Sequence, residues 1–224
     1  MKPFDNLESS AIPLPLANVD TDQIIPARFM TRSRAEGYGA CLLYDFRFDA
    51  DGAPRDNPMD DPRRAGAAVL IARRNFGCGS SREAAVYALA DFGLRCIVAP
   101  SFGDIFASNA VKNGLLPARV SAADAEALLA SLAVAEGGAV RIDLEAQTIS
   151  IGNLVAPFEI DPVWKAQLLH GWDDVDFTLR EQSRIEAFRA RDIRARPWAL
   201  PGRLDFPADL PVSPEAAGTA KGNP

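Results

Sequence analysis

The chain has 224 residues, 48% hydrophobic and 24% charged, with a formal net charge of −6. That length suits one large domain or two small ones. The acidic balance argues against a nucleic-acid binder held by phosphate neutralisation, and no apolar run approaches the roughly 20 residues that span a bilayer. One histidine (His170) and three cysteines (Cys41, Cys78, Cys96), none in C-x-x-C spacing, exclude a self-contained zinc or iron–sulfur site as an expectation for this chain. A Ser-His-Asp hydrolase would rest on His170 alone. The spaced cysteines read as reduced thiols of a cytoplasmic protein, and Met1 to Ser10 lacks a signal-peptide core.

Taken in chain order, Ile12 to Pro26 reads as an extended stretch, a polar turn and an apolar run stopped by proline. A basic loop follows, Ala27 to Gly39, carrying Arg28, Arg32 and Arg34. From Asp45 to Gly66, ten of 22 residues are charged and three prolines interrupt, which predicts a solvated excursion and no packed element. Ala67 to Ala72 is continuously apolar, as expected of a strand buried on both faces. Arg82 to Phe92 has helical spacing and Gly93 stops it. Arg95 to Ala99 is the next buried strand, and Phe102 to Asn113 the next helix, with Gly114 after it. Strand, helix, strand, helix at this spacing predicts a parallel βαβα core with right-handed crossovers. Ser121 caps a helix over Ala122–Ala135, and Ala139–Leu144 and Gln147–Ile151 form a hairpin. Helices are predicted over Pro162–His170 and from Leu179 to about Ile193. From Pro197 on, six of 28 residues are proline and three glycine. The predicted organisation is therefore a domain over 1–193 and a disordered or surface-draped tail over 194–224.

Chemistry concentrates at Asn75-Phe76-Gly77-Cys78-Gly79-Ser80-Ser81-Arg82-Glu83. This segment joins a buried strand to a helix, where open α/β sheets bind ligands. Gly77 and Gly79 allow close backbone approach, the helix start offers unpaired N–H groups, and Arg82 offers a planar fork for a carboxylate. Together these predict an anion site. The segment is neither a P-loop nor G-x-G-x-x-G. Ser80-x-x-Glu83 also reads as a capping box, so Ser80 can simply begin the helix; the same donors favour its alkoxide form, which makes it a candidate base as well as a cap.

The motifs resemble a known family. Gly79-Ser80-Ser81-Arg82-Glu83, Ala99 to Phe106 (APSFGDIF), Asn109 and Asn113 to Pro117 are similar to the swivelling β/β/α domain of the aconitase superfamily, and Asp20 to Pro26 (DTDQIIP) matches its N-terminal signature. Tyr38 to Phe48, Asn75 to Gly79 and Asp143 to Gln147 narrow the resemblance to the small subunits of bacterial 3-isopropylmalate dehydratases. The resemblance runs from about Phe4 to Phe188.

The resemblance implies an α/β fold and a hydro-lyase of leucine biosynthesis that isomerises 2- and 3-isopropylmalate by dehydration and rehydration. It implies a large-subunit partner bearing a 4Fe–4S cluster whose iron is the Lewis acid, with no cofactor or metal held by this chain. By motif match, Ser80 is the catalytic base, Arg82 binds a substrate carboxylate, and N–H groups near Ser80 and Ser81 bind substrate oxygens. Thr21 and Asp22 fall near the active site, where Asp22 orients an arginine or simply forms a turn.

The loop from Arg28 to Gly39 matches the region that contacts the substrate's variable group. There Arg34 stands one position from the family's usual arginine, and Glu36 adds a negative charge. Ala84 stands where many members carry histidine. Other readings of the same motifs are a related hydro-lyase of the citraconate/methylmalate, homoaconitate or dimethylmalate type, and a non-catalytic carboxylate- or phosphate-binding module. Beside these, His170 reads as a helix-end residue, Cys78 as a small packing residue, and Arg73 and Arg74 as either a solvated basic pair or a partner contact.

Overall fold

The two continuous apolar runs form the middle of a parallel sheet. In the computed structural model, which describes residues 1–134 and 139–199, β1 (Asn6–Ser9) and β2 (Ala11–Leu14) follow one another across Ser10 but enter different sheets. β2 pairs in parallel with β3 (Val69–Ala72), β3 with β4 (Cys96–Ala99), and β4 with β5 (Leu116–Arg119). β1 lies antiparallel to β6 (Val140–Asp143), which forms the expected hairpin with β7 (Thr148–Ile151), and β8 (Leu154–Pro157) closes the second sheet.

Every residue of β3 and β4 is buried, because side chains alternate between two cores. Leu70, Ile97 and Ala99 pack under α3 (Glu83–Phe92) and α4 (Asp104–Lys112). Val69, Ile71, Cys96 and Val98 face the opposite way. They meet α5 (Ala122–Val134), the antiparallel sheet and Leu168 of α6 (Pro162–His170). Cover on both faces is the reason these strands read as unbroken apolar runs.

Edge strands β2, β5 and β8 each carry a proline, Pro13, Pro117 and Pro157. Proline has no N–H to give a further strand, so it belongs at an edge and discourages pairing between molecules.

The segment between β2 and β3 departs from expectation in two places. Thr21–Ile24 is a helical turn, α1, with Asp20 as its N-cap in a capping box with Gln23. The Asp45–Gly66 stretch is not simply solvated. It follows the start of α2 (Tyr44–Arg47), and Arg47, Asn57, Met59 and Arg64 are all buried. Arg47 donates to Asp60 at 2.6 and 2.9 Å and to the Leu42 carbonyl at 3.2 Å. Arg64 donates to the carbonyls of Ala11 and Leu132. Charge in this loop is partly internal bracing, which composition alone cannot reveal.

The chain divides into two compact units, Met1–Thr178 and Leu179–Pro224. α7 (Asp174–Leu179) ends at the division. In the second unit, α8 (Gln182–Ala195) exposes Ile185 and Phe188. The expected tail lies outside the described residues from residue 200 on. Among the described residues no helix is long and apolar enough to cross a membrane.

Candidate active site

Three loops leave the same edge of the parallel sheet, after β2, β3 and β4, and are tied to one another by backbone hydrogen bonds. Gly77 N–H donates to Val19 (2.7 Å) and Thr21 N–H to Cys78 (2.9 Å). Phe76 N–H donates to Ser101 (3.0 Å) and Gly103 N–H to Phe76 (2.9 Å). Asn75 is held in the left-handed region, φ 64°, with its N–H on Ser101 Oγ at 2.8 Å. Gly77 must be glycine twice over. Its φ is +71°, and a Cβ there would stand 2.2 Å from Cγ of Phe106. A Cβ on Gly103 would likewise stand 2.4 Å from the Gly77 carbonyl oxygen.

Together the loops enclose a pocket of about 180 Å³ lined by Thr21, Gly77, Gly79, Ser80, Arg82, Gly103, Asp104, Ile105 and Phe106. The structure thus brings Thr21, Ser80 and Arg82 together. Asp22 is joined to them by a hydrogen bond from Arg82 Nη1 to Asp22 Oδ1. Asp22 thus contacts an arginine, while Asp20 is the N-cap of α1. Thr21 is buried and its hydroxyl donates to the Ser80 carbonyl at 2.8 Å. That proton is committed, so Thr21 holds the Ser80 peptide in place. Arg82 keeps its side chain only 18% exposed, and Asp22 leaves part of its fork unspent.

The capping-box expectation for Ser80 is corrected. The N-cap of α3 is Arg82, two residues later, and the helix start has no side-chain cap. Glu83 hydrogen-bonds the Tyr87 phenol instead, which raises that phenol's pKa above its ordinary value. Ser80 and Ser81 are both exposed, and neither hydroxyl has a partner among the described residues. First-turn N–H groups of α3 are therefore left for a ligand, with a positive helix end behind them. By contrast Ser121 accepts from Asp124 N–H at 3.0 Å at the start of α5, and Asp161 caps α6.

Arg34 is not brought to this pocket. Its guanidinium grips Asp91 at 2.6 and 3.0 Å and lies over Tyr87, 4.4 Å from the ring centroid. Asp91 sits near the far end of α3, eight residues beyond Glu83. That is roughly 12 Å along the axis at 1.5 Å per residue. Tyr38 N–H shares the same carboxylate at 2.8 Å.

Arg73 bonds Glu126 at 2.7 Å and the Pro15 carbonyl at 2.9 Å, so it braces the fold. His170 ends α6 and stacks on Trp172 at 4.0 Å. The sequence reading passed over Asp104, Ile105 and Phe106 as site residues. Applying the strand-end rule to β4 as well as β3 finds them.

The three cysteines do not gather into a cluster site among the described residues. Among the described residues no group of three or more His, Cys, Asp or Glu side chains could hold a metal ion. Cys41, Cys78 and Cys96 are free thiols, and burial pushes the Cys96 thiol far above its ordinary pKa.

A profile of the aconitase C-terminal domain matches residues 1–123, and a second, LeuD_N, matches residues 126–162. The chain is 47% identical to a Caulobacter vibrioides protein named 3-isopropylmalate dehydratase small subunit, over 88% of this chain and 98% of that one. The chain belongs to the 3-isopropylmalate dehydratase small-subunit family. Another member, from Rhodospirillum centenum, is 45% identical over 89% of this chain and 100% of its own. The fold of the family is seen in the crystal structure of 3-isopropylmalate dehydratase (leuD) from Methanocaldococcus jannaschii. It superposes with a TM-score of 0.59 at 26% identity, covering 82% of this chain and 99% of that one. The swivelling α/β domain expected from the motifs is thereby established.

Proposed function

We propose that this chain is the small subunit of a hydro-lyase that interconverts 2-isopropylmalate and 3-isopropylmalate, active only with a larger partner subunit. The observation that carries the reading is the turn at Gly79 to Arg82. Two serine hydroxyls without partners among the described residues stand beside a held arginine at an uncapped helix start, in a pocket of about 180 Å³.

On this reading Ser80 takes a proton from substrate carbon and returns it. A serine oxygen does this as an alkoxide, and Arg82 together with the α3 N-terminus favours the anion. Arg82 holds a substrate carboxylate, and Ser81 and the neighbouring N–H groups hold substrate oxygens. Asp22 orients Arg82, and Thr21 fixes the Ser80 peptide.

The 4Fe–4S cluster belongs, on this proposal, to the large subunit and supplies Lewis-acid chemistry there. The reduced thiols support a cytoplasmic setting.

The test is co-purification with the large subunit and turnover of isopropylmalate against methylmalate. The complex should prefer isopropylmalate by about tenfold or more, the discrimination that one or two methylenes provide. The isolated chain should turn over neither. Tight dicarboxylate binding by the isolated chain, with no association to a cluster-bearing subunit, would replace this reading with that of a binding module.

A further inference from the structure

We infer that Asp91, outside the pocket, is a positioning residue for substrate choice: it ties the Arg28–Gly39 loop to α3, the helix that the Ser80–Arg82 turn leads into. On the hydro-lyase reading above, on which this inference rests, that loop meets the variable group of the substrate. The place of the loop relative to the turn then decides which branch is accepted.

Glu83, Tyr87 and Asp91 follow one another at four-residue spacing and share one face of α3. Glu83 is next to Arg82 and Asp91 is in the last turn, so this row runs from the serine turn to the far end of the helix. The loop lies on the row. Arg34 bonds Asp91 through both Nη atoms and reaches back over the Tyr87 ring, 4.4 Å from its centroid. Tyr38 donates its N–H to the same carboxylate at 2.8 Å and stacks on Tyr87, with ring centroids 6.4 Å apart. The Tyr38 phenol in turn donates to the Arg32 carbonyl at 3.1 Å, in the exposed tip Met30–Ser33. One carboxylate thus holds a side chain, a main chain and, through Tyr38, the tip of the loop.

The contact leaves little slack. A Cβ on Gly39 would stand 2.7 Å from the Asp91 carbonyl carbon and oxygen and 2.8 Å from Phe92 N, so loop and helix meet backbone to backbone. The loop's other ion pair is a weaker tie. Arg28 and Asp45 are 52% and 64% exposed, where water screens the attraction, whereas Asp91 is only 22% exposed. A rigidly held loop can discriminate between substituents of similar size, and a loose one cannot. Asp91 is not among the residues that line the pocket, so its loss should move the loop and spare the proton chemistry of Ser80.

The experiment uses the assembled two-subunit enzyme with Asp91→Asn, Arg34→Ala and both together. Asparagine keeps the shape of aspartate but gives up the bidentate pair with Arg34. The kcat/KM ratio of isopropylmalate to methylmalate should fall about fivefold in Asp91→Asn, a large part of the discrimination that one or two methylenes provide. The loss should appear in KM for isopropylmalate, with kcat within about twofold of wild type. Arg34→Ala should lower the ratio by a similar factor and the double variant by no more, because the two residues act as one unit. Asp60→Asn, which breaks the separate pair with Arg47, should leave the ratio within about twofold of wild type. An unchanged ratio in Asp91→Asn overturns the inference. So do equal losses for both acids, an additive double variant, or an Asp60→Asn ratio that falls as far. If Asp91→Asn does not assemble, Arg34→Ala decides by the same ratio, since its side chain is half exposed. A wild-type complex that turns over neither acid overturns the hydro-lyase reading and this inference with it. A wild-type preference for isopropylmalate that survives Asp91→Asn overturns this inference alone.

Discussion

Gly77→Ala tests whether the pocket floor is as tightly built as the geometry says, and Gly66→Ala is its internal control. Both glycines hold positive φ, +71° and +76°, so both alanines carry the left-handed cost of about 1–2 kcal/mol. Both also stiffen the unfolded chain, which offsets about 0.4–1 kcal/mol equally in the two. They differ in surroundings. No atom lies within 4 Å of a Cβ at Gly66, whereas at Gly77 the Phe106 ring is 2.2 Å away. Phe106 cannot withdraw freely, because Phe76 and Phe102 pack against it, so overpacking adds about 1–3 kcal/mol at Gly77 alone. At roughly 2–4 °C per kcal/mol for a chain of this size, the extra loss is about 2–12 °C in Tm. Thermal unfolding of the two variants, side by side under one condition, reads that difference. Equal Tm shifts would refute the reasoning, since they would mean that Phe106 yields without cost.

Three further outcomes follow from named contacts. Asp60 carries a carboxyl held below its usual pKa, first by its hydrogen bond from Arg47. Its stabilising effect is complete above the unfolded value of about 4 and is lost as pH falls through the folded value. Asp60→Asn should therefore lower stability at pH 7, with the gap from wild type closing below about pH 4 in urea titrations; a gap constant with pH would contradict this. Asp91→Asn should loosen the segment around Arg34 and Tyr38, read as faster amide exchange at Tyr38, whose N–H it accepts; unchanged exchange would remove the latch. Cys78, partly exposed, should be alkylated well before buried Cys96, whose thiol burial keeps protonated; equal labelling rates in the folded protein would contradict that placement.

Much of the core was legible because its physics is local. Val69–Ala72 and Cys96–Ala99 read as doubly buried strands, and Asp161-Pro162 at one end and Gly171 at the other bound α6 as cap, N1 proline and left-handed stop. The edges were not legible. Prolines sit inside β2, β5 and β8, and β1 finds its partner only at residues 140–143. Site residues followed the same division. Thr21, Asp22, Ser80 and Arg82 come together as their motifs imply. Arg34 instead meets Asp91, 57 residues along the chain, a pairing that no local pattern signals. The Ser80 capping box failed for a related reason: a cap is decided by where the backbone turns helical, and the hydrogen bonds from Gly77 and Thr21 to neighbouring loops delay that turn until Arg82.

The central claim is that Ser80 is the base of a site completed by a partner subunit. Ser80→Ala, purified as the assembled two-subunit enzyme, tests it most directly. The Ser80 hydroxyl has no partner among the described residues, and alanine keeps the carbonyl that Thr21 bonds, so fold and association should match wild type. Turnover of isopropylmalate should fall by about 10²–10⁴-fold, as loss of a general base does. Turnover within threefold of wild type, in a complex of unchanged Tm and stoichiometry, would contradict the account.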